Sequence, residues 1–115
     1  MRILFIVVLV VNLLTEALAA TALIGGPEGI AAAGKGGMWS MHYGFAALAM
    51  ASVSLWVWRY RNDLNAVTVV LGLLSTFHTG LFISLTLAGD QQAGMIIHGV
   101  MAVLCIVLFT QRSRW

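Results

Sequence analysis

The chain has almost no charge: of its 115 residues only 9% are Asp, Glu, Lys or Arg. It also has one proline and one cysteine. So few charged side chains cannot coat a water-soluble globule, and a mean hydropathy of +0.98 points to a membrane protein. The single cysteine, Cys105, excludes a disulfide within the chain and lies inside an apolar run, where it is expected as a small packing residue. A net charge of +2 comes from arginines at the ends of apolar runs and forms no continuous basic stripe, so nucleic acid is not an expected partner. No phosphate loop, paired carboxylates or activated nucleophile can be traced, which argues against a hydrolytic or phosphoryl-transfer enzyme.

What remains is hydrophobic sequence in four blocks. A helix needs roughly 20 mostly apolar residues to cross a bilayer, and such runs fall at 3–24, 38–58, 65–88 and 93–110. The expected fold is an all-α membrane protein, a four-transmembrane-helix bundle forming a single domain over residues 1–115. The first run, with Arg2 before it and "ALAA" at 17–20, also has the look of a secretory signal with a small-residue cleavage site. Asn12 and Glu16 are foreign to the hydrophobic region of a signal, so the expectation is a retained helix.

Charge sets the expected orientation. Arg2 precedes the first run, Arg59 and Arg61 follow the second, Arg112 and Arg114 follow the fourth, and only Lys35 lies on the other side. By the positive-inside rule both termini are expected on the cytoplasmic side, and the expected location is a bacterial inner membrane, as a multi-pass protein. Trp39 and Tyr43 then mark the outer interface, and Trp56, Trp58, Tyr60 and Trp115 the inner one. A weak repeat is visible: "MWSMHYGFAALAM" in the second run echoes "GMIIHGVMAVLC" in the fourth, with His42 over His98 and Ala46 over Ala102. Two tandem helical hairpins in one orientation are the expected topology.

Against this background four ionisable residues stand out: Glu16, His42, His78 and His98, one in each run. At about 1.5 Å of rise per residue, His42 and His98 lie roughly 6 to 8 Å below the outer helix ends, and Glu16 and His78 roughly 12 to 15 Å below them. Helical spacing gives each an expected inward face. These faces are Asn12, Thr15, Glu16, Ala19 and Ala20 in the first run, and His42, Ala46 and Ala49 in the second. The third offers Asn65, Thr68, Gly72, Ser75, Thr79 and Thr86 beside His78, and the fourth Gly94, His98, Ala102 and Cys105. An ionisable group in hydrocarbon is costly, about 2.5 to 3.5 kcal/mol for an aspartate at a helix centre, so such groups usually face an interior or a cavity.

Each residue alone has a plain explanation: an imidazole near an interface reaching water, or a protonated carboxyl gluing helices together. Together they suggest a cofactor. Two histidines at one depth on different helices suit bis-imidazole ligation of haem b, with His42 and His98 as the pair, His78 as a further ligand and Glu16 as a proton-coupling group. Membrane electron transfer is the implied role. The same four residues could instead ligate zinc, copper or iron directly.

Size, four helices and the lone first-run glutamate, Glu16, are similar to the small multidrug resistance transporters. That resemblance implies proton-coupled transport with Glu16 as the coupling carboxylate. It covers one residue, and the chain departs from that family in its three membrane histidines and its marked charge bias. A further expectation is an accessory or assembly subunit, present as a homodimer or within a larger membrane complex, with the lipid bilayer as its other partner.

Overall fold

The computed structural model describes residues 1–32, 39–89 and 91–114. Lys35, Asp90 and Trp115, which carry part of the expected charge and aromatic pattern, lie outside the described residues. Among those described, the secondary structure is entirely helical. Four long helices account for most of it: α1 (Arg2–Gly25), α2 (Trp39–Val57), α3 (Leu64–Ala88) and α4 (Gln92–Thr110). Short 3₁₀ turns at Ile30–Ala32, Trp58–Tyr60 and Arg112–Arg114 follow α1, α2 and α4. All four helices are long and apolar enough to cross a membrane, which is consistent with a multi-pass membrane protein. In hydrocarbon a helix satisfies its own backbone polar groups, so sequence this apolar has few other ways to be folded there.

The chain divides into two compact units, residues 9–58 and residues 1–8 with 59–115. In the first unit α1 and α2 are joined by a buried polar contact. Asn12 donates from Nδ2 to the Met50 carbonyl at 2.9 Å and to Ser54 Oγ at 2.9 Å. The buried face of α2 is Gly44, Ala47, Ala51, Ser54 and Val57, not the expected His42, Ala46 and Ala49, which are exposed. The reason is volume. α2 is apolar on every side, so polarity does not choose a face, whereas its smallest residues at helical spacing allow close backbone approach. At Gly44 a Cβ would come within 2.7 Å of Ile24 Cγ1 and 3.2 Å of the Ile24 backbone nitrogen.

In the second unit Asp63 caps α3, accepting from the Asn65 and Ala66 amides at 2.8 and 3.2 Å. Gly89 ends the helix at φ 72°, and its amide bonds the Leu85 carbonyl at 2.9 Å. Only glycine adopts that left-handed conformation without a Cβ penalty, and α4 begins at Gln92. α3 and α4 pack on one another. Leu85 lies against Gly94, Phe82 against Gly99, and Phe109 near Gly72, so contacts advance along α4 as they retreat along α3. The buried face of α3 is Val67, Val70, Leu71, Leu74 and His78. The hydroxyl stripe expected to face inward flanks it instead, with Thr68, Ser75 and Thr86 each donating to the carbonyl four residues back. A hydroxyl satisfied within its own helix does not need an interior.

Candidate functional site

The site begins with one turn of α3 and one of α4. His78 is the polar end of the α3 buried face, four residues after Leu74, and is fully buried. His98 heads the α4 face of Met101, Ala102, Cys105 and Leu108 and is 8% exposed. Their Nδ1 atoms are 2.9 Å apart and their ring centroids 5.2 Å apart, with 31° between the planes. At that distance one ring donates its Nδ1 proton to the lone pair of the other, which requires at least one neutral imidazole.

Phe77 encloses the pair. Its ring meets His78 edge-on at 5.3 Å and His98 edge-on at 6.2 Å. One aromatic edge against both imidazoles forms an apolar wall that limits rotation of either ring. Sequence reasoning missed Phe77, although its place beside His78 is the available clue. Next to His98, Gly99 makes room for the Phe82 ring, which a Cβ there would meet at 2.9 Å.

The His78 and His98 contact also revises the depth reading, which set the two histidines about 6 Å apart along the membrane normal. Counting inward from helix ends assumes that α3 and α4 end on one plane. The pairing shows that they do not. Counted outward from Gly89, His78 is eleven residues away and His98 nine, and this near-symmetry about the connection is the sequence signal that joins them.

In the other unit, Glu16 is fully buried on the α1 stripe that also holds Asn12 and Ala20. This face was expected to be polar and inward, and its burial agrees. His42 is exposed near the start of α2, edge-on to Trp39 with 6.3 Å between centroids. Trp39 is itself 81% exposed. Cys105 is fully buried, as expected of a packing residue.

Within the α3 and α4 unit two buried imidazoles, His78 and His98, therefore supply a pair of nitrogen donors of the kind that holds a metal ion. Such ligands suit zinc, copper and iron. No protein-family model matches the chain, and comparisons with curated proteins and with solved structures return no match.

Proposed function

We propose that the chain is a multi-pass membrane protein that binds a transition-metal ion through His78 and His98. The observation that carries this reading is the Nδ1 separation of 2.9 Å between two buried imidazoles on different helices. Two imidazole nitrogens bound at about 2.0 to 2.1 Å lie about 2.9 Å apart when they subtend a right angle and about 3.4 Å apart in a tetrahedron. The separation of the pair matches the first, and the second after opening by about half an ångström; in either case both rings, which meet nearly head-on with centroids 5.2 Å apart, must turn so that their lone pairs converge on the ion. The bound metal would take the place of the shared proton and act as a Lewis acid or, if copper or iron, as an electron carrier.

A bare ion is favoured over haem b. No macrocycle fits between two nitrogens in hydrogen-bond contact, and the other haem candidate, His42, is exposed on α2. The wider architecture belongs to the same proposal: one four-helix domain of two tandem hairpins, with both termini on the arginine-bearing cytoplasmic side of an inner membrane. Electron transfer, alone or within a larger complex, is the proposed role when the ion is redox-active.

The test is elemental analysis of the purified protein after exposure to zinc, copper and iron, beside His78→Ala and His98→Ala. Stoichiometric metal lost in both variants supports the reading, and metal retained in both overturns it. A second reading, proton-coupled transport, is favoured by the full burial of Glu16. In that case Glu16→Gln abolishes proton-driven uptake while leaving metal content unchanged.

A further inference from the structure

At the other end of the α3 and α4 pair the chemistry is cationic. Arg59 and Arg61 lie just before α3, and Arg112 and Arg114 just after α4. Because the contacts of α4 advance as those of α3 retreat, ending with Phe109 near Gly72, these four arginines lie toward the same end of the helix pair, with α3 running on from Gly72 to Leu64 by about 12 Å. Arg59 and Arg114 are exposed. The acidic residue in this stretch, Asp63, is engaged in capping α3 through Oδ1, which accepts two backbone amides.

Arg112 is held in place. Its Nη1 donates to the Phe109 carbonyl at 2.6 Å, and its guanidinium carbon stands 4.2 Å from the Phe109 ring centroid. Stacking on an aromatic face while bonding the Phe109 carbonyl fixes the fork with low entropy left to lose, and a guanidinium has five donors matched to oxyanions. Tyr60, exposed between Arg59 and Arg61, adds an amphipathic ring of the kind that settles at headgroup level.

We propose that this end of the α3 and α4 unit is a binding surface for the phosphate of anionic phospholipids, with Arg112 as its fixed element and Arg59 and Arg114 as exposed contributors. Juxtamembrane arginines each strengthen attraction to an anionic leaflet by about fivefold, so several together select anionic over zwitterionic lipid strongly. The inference is independent of the metal reading, since it uses neither histidine.

Native mass spectrometry of the purified full chain in detergent, with phosphatidylglycerol or phosphatidylcholine added, tests it. Phosphatidylglycerol is expected to be retained at least tenfold more than phosphatidylcholine, and nanodisc binding should weaken steeply as salt is raised. Arg112→Gln is expected to lower retention about fivefold, and Arg112→Gln with Arg114→Gln further, with helicity by circular dichroism unchanged. Inorganic phosphate at millimolar concentration should not displace the lipid; displacement would identify a soluble phosphate site and overturn the lipid assignment. Equal retention of the two lipids, or phosphatidylglycerol retention insensitive to salt, overturns the proposal without any variant. That result also decides the matter if the arginine variants fail to fold.

Discussion

The Nδ1 atoms of His78 on α3 and His98 on α4 lie 2.9 Å apart, buried, with the Phe77 ring edge-on to both. Removing either imidazole takes from the other, which is buried, the ring nitrogen it faces at 2.9 Å. His78→Ala and His98→Ala are each expected to destabilise by about 1 to 3 kcal/mol, and the double variant by less than the sum. Reversible unfolding in detergent measures all three. Strict additivity would mean that the two rings do not interact in solution.

The Asn12 contact is the corresponding tie between α1 and α2. Asn12→Leu loses bonds to Met50 and Ser54, and interhelical bonds of this kind in membranes average about 0.6 kcal/mol and reach about 1.7. A loss within that range is expected by the same unfolding measurement. Ser54→Ala should cost less, because the Met50 carbonyl remains available to Asn12.

Two glycines make a paired prediction. Gly44→Ala places a methyl 2.7 Å from Ile24 Cγ1 and 3.2 Å from backbone, and overpacking of this kind costs about 1 to 3 kcal/mol. At Gly99→Ala the nearest atoms to the new methyl belong to the Phe82 ring. That ring is 39% exposed and can swing outward, while the helix gains roughly 0.5 to 1 kcal/mol from replacing glycine. Gly99→Ala should therefore be near neutral, and thermal melting of the two variants side by side checks the contrast.

These comparisons show which parts of the fold could be read from residues alone. The four helices emerged from apolar length and their ends agree within a residue or two; those of α3 are set by caps at Asp63 and Gly89. The faces of α1 and α4 were legible because Asn12, Glu16 and His98 are costly in lipid and occupy one side. The α2 face was not, since Gly44, Ala47 and Ala51 are chosen by size in a helix with no polar side to exclude. The α3 stripe misled for the opposite reason: Thr68 and Ser75 are polar by composition but satisfied by their own helix. Of the candidate site, the residue types were visible but the pairing of His78 with His98 was not, because helix ends are a poor ruler of depth.

Metal affinity should fall as the solution is acidified. Imidazoles bind metal through a lone pair that protonation removes, so protons compete with the ion, and metal binding releases protons. The apparent dissociation constant is expected to rise by up to about tenfold per pH unit for each ligand that must lose a proton. Titrations across a pH series, with proton release followed by a dye, test this. Affinity that is constant over the whole range, with no proton release, would exclude histidine ligation.

X-ray absorption spectroscopy of the metal-loaded protein examines the ligands themselves. The account predicts a first shell of nitrogen and oxygen near 2.0 to 2.1 Å with outer-shell scattering from two imidazoles. His78→Ala and His98→Ala should lose the metal and with it the imidazole signal, whereas His42→Ala should keep both rings. A spectrum without imidazole scattering, or one in which His42→Ala removes a ring and His78→Ala does not, would contradict the assignment of His78 and His98 as the metal ligands.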